Sequence, residues 1–285
     1  MRQFIVAGIV GFGSQNFLGA RWVESLFRIS PEDRRRRLAL ELLALSPHYF
    51  YRTPANAQLD HRSFLEAECV RNRTSRQKIV DLILAPYLLP SLVGIDYGCG
   101  PGFMARAAAA RLKTLYAIDI SAGVLACAKA VNSAPNLEFK LVRDGKIPLP
   151  AASVDLVYSF AVVQHVTNDV FKGMLAEWHR ALRPGGTILC HVAIDEEGWQ
   201  TEAQKRADRS LAGRIKWRFG LHCFSRSEGD LSSLIQEAGF DDLKIMKIRE
   251  MGVHRLDDDI DHQYLCIARK PSAAVAENRV LAETT

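Results

Sequence analysis

The apolar positions of this chain change their rhythm near residue 91. Before it, Leu38, Leu42 and Leu45 recur at helical spacing, and 1–90 reads mostly as helix. Ser30-Pro31-Glu32-Asp33 predicts a helix start, with a capping Ser, Pro at the first helical position and acids in the first turn. Pro47 is expected to stop that helix, and a polar helical stretch over 74–89 is expected to halt at Pro90. After 91, short apolar runs alternate with helical stretches. Strands are predicted over 92–96, 115–120, 137–142, 154–160, 187–194, 242–248 and 262–268. Helices are predicted over 105–112, 122–131, 170–182 and 231–238, the third ending in the turn Arg183-Pro184-Gly185-Gly186 and the last at Gly239. Such alternation predicts an α/β fold with a mostly parallel sheet covered on both faces. Only a loop joins the last two runs, too short for a parallel crossover, so an antiparallel hairpin at the sheet edge is expected.

Composition is that of an ordinary globular chain, and 285 residues suffice for one large or two small domains. The charge is uneven: 1–90 carry 13 Lys/Arg against 8 Asp/Glu, while 91–285 carry 24 of each. A basic front of this kind is either a solvated helix face, the commoner case, or a surface for an acidic partner. Cysteines at 69, 99, 127, 190, 223 and 266 form no CxxC pair and no zinc spacing, which predicts reduced thiols, no metal and a cytoplasmic location. The apolar run Phe4–Phe12 is too short to span a membrane and lacks a small-residue cleavage site, so no anchor or signal is expected.

The candidate chemistry centres on Val93-Gly94-Ile95-Asp96-Tyr97-Gly98-Cys99-Gly100-Pro101-Gly102-Phe103. Glycines between a strand and a helix let a ligand approach the backbone closely. Phe103 stands where the dinucleotide pattern GxGxxG has its third glycine, which argues against a nicotinamide-dependent oxidoreductase. Asp119 ends the second strand roughly 20 residues later, placed to accept from a ribose diol. Its alternative role is a helix cap, which Ser121 can fill. Asp144-Gly145 follows the third strand, where a carboxylate can accept from an adenine amine; alone, the pair reads as a simple turn.

With Asp155-Leu156-Val157-Tyr158-Ser159-Phe160, Gln164-His165-Val166 and Leu182-Arg183-Pro184-Gly185-Gly186-Thr187, this ordered series resembles the class I S-adenosylmethionine-dependent methyltransferases. The resemblance covers 91–200 and continues loosely through Ala238-Gly239-Phe240; the first 90 residues lie outside it. It implies a Rossmann-like seven-stranded core; the chain's own pattern sets that core at 91–270, with 1–90 as a helical cap, 199–224 as an insertion over the site and 271–285 as a frayed tail. It further implies S-adenosyl-L-methionine as cofactor and S-adenosyl-L-homocysteine as product. Asp96, Cys99 and the loop glycines Gly98, Gly100 and Gly102 would hold the methionine part, and Asp119 the ribose. Ile120 would pack on adenine, Asp144 and Gly145 would meet its edge, and Ser159 and Phe160 would line the sulfonium end. Arg73 and Arg76 are both candidates for the cofactor carboxylate, Arg76 being the one assigned.

Methyl transfer needs alignment above all, and a base only where the acceptor must lose a proton. His165, after the fourth strand, is the candidate base; its alternative is a structural histidine bonded to a loop carbonyl. His191, Asp195, Glu196 and His222 are weaker candidates, and His191 reads as a core residue of an apolar strand. The aromatic cluster Pro47-His48-Tyr49-Phe50-Tyr51-Arg52 and the insertion containing His222 are expected to shape the acceptor pocket. A small-molecule acceptor is expected. Nucleic acid is disfavoured: no Pro-Pro-aromatic motif follows the fourth strand, no Pro-Cys pair occurs, and the net charge is modest. A non-catalytic methyltransferase-like binding protein and an RNA- or membrane-associated methyltransferase remain the alternatives, and homodimerisation is left open.

Overall fold

The computed structural model describes residues 18–45, 49–218, 222–251 and 263–272. The run Phe4–Phe12, Pro47, His48, His262 and the tail beyond residue 272 lie outside the described residues. Two compact units emerge. The first takes the described residues up to Pro90 together with Gly98–Arg143; the second takes Ser91–Tyr97 and those from Asp144 onward. One break between the units falls after Pro90, where a boundary is expected, while Gly98–Arg143 groups with the residues before it.

The first unit contains helices α1 (Leu18–Ile29), α2 (Glu32–Ala44), α3 (His61–Ile79), α4 (Phe103–Ala109) and α5 (Ala122–Val131), with strands β2 (Thr114–Asp119) and β3 (Leu137–Leu141). Ser30 does not cap α2. Its N–H completes α1 on Leu26 O, its carbonyl accepts from Arg35, and Pro31 takes the cap position without a side-chain bond. The helix expected from residue 74 starts at His61, where Asp60 caps it by accepting from Ser63 N at 3.0 Å. Its apolar stripe is sparse because Glu68 and Asn72 are among its buried positions. It loosens into a π-turn, Val80–Leu84, and a 3-10 turn, Ala85–Tyr87, where Pro86 forbids a regular α-helix. Leu40, Leu43, Phe50, Phe64, Phe103 and Cys127 pack in one core, so the front helices share apolar contacts with α4 and α5. Each large side chain buried there contributes about 1.5–3 kcal/mol.

The second unit contains β1 (Val93–Tyr97), β4 (Val154–Ser159), a 3-10 turn (Val163–His165), α6 (Asn168–Ala181) and β5 (Leu182–Val192). It continues with α7 (Glu202–Ala207), α8 (Leu211–Arg218), α9 (Glu228–Glu237), β6 (Asp241–Lys247) and β7 (Tyr264–Arg269). The seven strands run in the order β3-β2-β1-β4-β5-β7-β6. β1, β4 and β5 are parallel, whereas β7 is antiparallel to both β5 and β6. The strand order reverses between β1 and β4, the kind of switch point where open α/β sheets bind ligands.

Arg183-Pro184-Gly185-Gly186 is not a helix stop followed by a turn. α6 ends at Ala181 and β5 begins at Leu182. Val154 pairs with Leu182 but Leu156 with Thr187, so the motif bulges out of the ladder. Gly185 supports the bulge with φ +82° and donates to Lys270 O at 2.9 Å. All six cysteines are free; Cys223 is half-buried, and the other five are buried. Among the described residues no helix is long and apolar enough to cross a membrane.

Candidate functional site

In the first unit, the glycine loop has left-handed φ at Gly100 (+52°) and Gly102 (+76°). Space enforces both positions: a Cβ at Gly102 would lie 3.0 Å from the Phe139 ring, and one at Gly100 would lie 3.3 Å from the Tyr49 hydroxyl. The loop is tied to the end of β2. Gly98 N and Cys99 N donate to Ile118 O, and Gly100 N donates to Asp119 Oδ2 at 3.0 Å. Asp119 Oδ1 accepts from Ser121 N at 2.9 Å, while Ser121 Oγ caps α5 through Val124 N. Asp119 is therefore not the helix cap. Burial raises its pKa, and the amides of Ser121, Gly100 and Ile120 oppose that rise. Ile120 beside it is 36% exposed, an apolar surface next to a polar acceptor.

Tyr49 stands over Gly100, and burial followed by the charge of Asp119 raises its phenol pKa, with Arg76 pulling the other way. Arg76 thus belongs to the surroundings of Tyr49. Arg73 is committed elsewhere: it donates to Val131 O at 2.6 Å and lines a groove of about 410 Å³ with Lys78, Asp81 and Arg106. Cys99 is buried with Sγ 3.6 Å from Gly100 O. The aromatic cluster is divided. Phe50 joins the core 6.5 Å from Phe103, whereas Tyr51 is at the surface with the Arg71 guanidinium 4.4 Å over its ring. Buried Glu68 organises this segment, accepting from Tyr51 N, Asn56 Nδ2 and Arg71.

In the second unit, Asp96 is buried on β1. Ser159 spends its hydroxyl on Tyr97 O at 2.9 Å, tying β4 to β1. Phe160 stacks on His191 with centroids 4.2 Å apart, and His191 Nδ1 accepts from Ala161 N at 3.2 Å. That bond places the neutral imidazole's proton on Nε2. Ala161 itself holds φ +58°, a strained backbone at the carboxyl end of β4. Asp144 and Gly145 are exposed with φ +50° and +72°, as a type I′ turn requires. The segment after them is held by α6: Ile147 N donates to Glu177 Oε2, and Arg180 donates to Ile147 O and Leu149 O.

His165 is exposed, and its Nδ1 lies 2.8 Å from His222 O. A carbonyl only accepts, so Nδ1 carries the proton and Nε2 is left as the basic nitrogen. The structure thus shows the carbonyl-bonded histidine. His222 is buried with its ring 4.8 Å from Trp217 and 5.5 Å from Phe224, so it forms the base of the insertion. Asp195 has φ +45° on the loop after β5 and is bonded through its backbone N to Arg226 O. Arg226 has no motif around it in Ser225-Arg226-Ser227, yet it is buried and donates to the turn that carries His165. Among the described residues no group of three or more His, Cys, Asp or Glu could hold a metal ion.

A profile of the methyltransferase domain family matches residues 95–190. Residues 95–190 thus match a methyltransferase domain, in keeping with the resemblance to the class I S-adenosylmethionine-dependent methyltransferases. The matched span runs from β1 into β5 and contains the glycine loop, Asp119 and His165. It is 36% identical to the malonyl-[acyl-carrier protein] O-methyltransferase of Serratia marcescens over 95 residues, 33% of this chain and 36% of that protein. It is 27% identical to the arsenite methyltransferase of Halobacterium salinarum over 198 residues, 65% of this chain and 48% of that one. The matches thus span between about a third and a half of these relatives. Among solved structures, a chain from the complex of the Haloferax volcanii Trm112 methyltransferase activator with a putative methyltransferase aligns with TM-score 0.53. The alignment has 18% identity and covers 72% of this chain and 95% of that one. Phosphoethanolamine N-methyltransferase 2 of Haemonchus contortus aligns with TM-score 0.52 at 16% identity, over 75% and 59% of the two chains. At these identities the structures share the fold.

Proposed function

We propose that this methyltransferase transfers the methyl group of S-adenosylmethionine to an O, N or C atom of a small-molecule acceptor. The observation that carries the reading is the joint between the glycine loop and Asp119: left-handed glycines, a carboxylate held by Gly100 N and Ser121 N, and exposed Ile120 beside it. These residues fit an adenosine, offering backbone clearance, an acceptor for ribose hydroxyls and an apolar platform for the base. The bound cofactor supplies an electrophilic methyl group on sulfur. Arg76 is assigned to its carboxylate, with Tyr49 packed against the loop. Asp96, Asp144, Gly145 and Phe160 keep the cofactor roles that the resemblance implies. Ser159 acts as the tie between β4 and β1.

On the acceptor side, His165 Nε2 receives the proton of acceptors that must lose one, its ring held by the carbonyl of His222. Trp217, His222 and Phe224 stiffen the insertion. A second reading, an acceptor borne on a carrier protein, is favoured by four relatives named malonyl-[acyl-carrier protein] O-methyltransferases. Calorimetry of the full chain with S-adenosylmethionine and S-adenosylhomocysteine tests the donor half, and binding of neither would end the proposal. Release of S-adenosylhomocysteine across free and carrier-bound acceptors separates the two readings.

A further inference from the structure

We infer that Arg226 is a positioning residue for His165, holding the turn that carries the imidazole and coupling it to the helical insertion. The inference rests on the reading of His165 as the acceptor-side base. Arg226 is only 6% exposed, and its guanidinium has three acceptors on one short stretch of chain. Nη1 donates to Val163 O at 2.9 Å, Nη2 to Val166 O, and Nε to Asn168 Oδ1 at 2.8 Å. The two carbonyls bracket Gln164-His165 on either side. The backbone around Arg226 closes on the same turn: Phe224 N donates to Gln164 O at 2.7 Å, and His222 O accepts from His165 Nδ1. Asp195 N donates to Arg226 O, fixing the arginine to the chain leaving β5.

The link to the insertion passes through Asn168. Its N–H donates to Glu202 Oε2 at 2.7 Å, and Glu202 Oε1 accepts from Arg206 at 2.6 Å. The Arg206 guanidinium lies 4.9 Å over the Trp217 ring, and Trp217 packs on His222. The insertion therefore reaches His165 by two routes, through Asn168 and Arg226 and through His222. Among the described residues no carboxylate is within ion-pair distance of Arg226, and burial pulls its pKa below the ordinary guanidinium value. A buried cation held by neutral oxygens is a costly way to fill space. A planar fork with diverging donors does what no aliphatic side chain does: it fixes three acceptors at once. Truncation removes the side-chain donor from both carbonyls, leaving Val163 O only the 3.4 Å bond from Val166 N, and frees the turn to rotate the imidazole.

The test is nitrogen-15 NMR of histidine-labelled full-length chain, comparing wild type with Arg226→Met and Arg226→Lys. Wild-type His165 is expected as the Nδ1–H tautomer below the temperature of any unfolding. In Arg226→Met that preference is expected to be lost, with the Nε2–H form of a free imidazole prevailing, while the His191 resonances stay in place as a check on folding. Arg226→Lys, which keeps the charge without the fork, is expected to lie between the two. A folded Arg226→Met whose His165 keeps its wild-type tautomer and titration overturns the inference. So does failure of both variants to fold, which would make Arg226 a residue of the fold alone. Calorimetry of wild type with S-adenosylhomocysteine reports separately on the proposed function, because a lack of binding leaves the tautomer comparison intact.

Discussion

The amide of Gly100 donates to Oδ2 of Asp119 across 3.0 Å, so the glycine loop and the carboxylate ending β2 form one hydrogen-bonded device. A ligand that takes a lone pair of this carboxylate also feels the loop. Replacing Asp119 with Ala removes the acceptor of Gly100 N and of Ser121 N together. Hydrogen bonds to a charged group contribute about 1.5–3 kcal/mol, so S-adenosylhomocysteine affinity should fall on the order of tenfold to a hundredfold. Calorimetry on folded Asp119→Ala measures it, and wild-type affinity would contradict the assignment.

Two glycines with similar dihedral angles should respond differently to alanine. Gly102 has φ +76° and the Phe139 ring 3.0 Å from an added Cβ; Gly145 has φ +72° and nothing within 4 Å. The left-handed conformation alone costs about 1–2 kcal/mol. Gly102→Ala should therefore cost about 2–4 kcal/mol once the packing clash is included, and Gly145→Ala about 1 kcal/mol. Urea midpoints of the two variants decide; equal losses would show that the Phe139 contact relaxes freely.

Acid stability should depend on Glu177. Burial works against its charge, but hydrogen bonds from Arg180, Ile147 N and Lys146 outweigh that and hold its carboxyl at about 2. An unfolded glutamate titrates near ~4.3, so the unfolded chain takes the proton first. The stabilisation is complete above about pH 5 and fades as pH falls through 4 toward 2. Because Lys146 is 76% exposed, the contribution is discounted to about 2 kcal/mol. Glu177→Gln should lose that amount at pH 7 and show a flatter stability curve in acid. Parallel urea titrations from pH 7 to pH 3 test it, and superimposable slopes would refute it.

The role of His165 separates by acceptor. His165→Gln should leave S-adenosylhomocysteine affinity unchanged, since no cofactor role is assigned to it. Turnover of acceptors that must shed a proton should fall about 10²–10⁴-fold. Acceptors methylated on an already free lone pair should lose less than tenfold. Steady-state rates with one acceptor of each kind make the comparison; equal losses would leave His165 a structural residue.

The sheet was legible because buried parallel strands are short apolar runs, and the predicted helix over 122–131 has the bounds observed for α5. α3 was half hidden because buried Glu68 and Asn72 interrupt its stripe. The Arg183–Gly186 motif misled because proline and glycines punctuate a bulge as they punctuate a turn. On the site, Gly100, Gly102 and Asp119 could be read because backbone clearance and a strand-end acid leave local marks. Arg226 could not, since a buried cation looks like a surface one until its acceptors, all more than fifty residues away, are known. Tyr49 and Tyr51 were indistinguishable neighbours in sequence, and only packing sends one over Gly100 and the other into solvent.

The cysteines make the molecule its own gauge. Cys190 faces Cys266 across β5 and β7, and burial pushes the Cys127 and Cys190 thiols up to about 12. A maleimide dye should thus mark the folded chain at Cys223 first, leaving the five buried thiols silent. Their later labelling is a clock for each half of the chain: Cys69, Cys99 and Cys127 time the opening of the first unit, Cys190 and Cys266 that of the second.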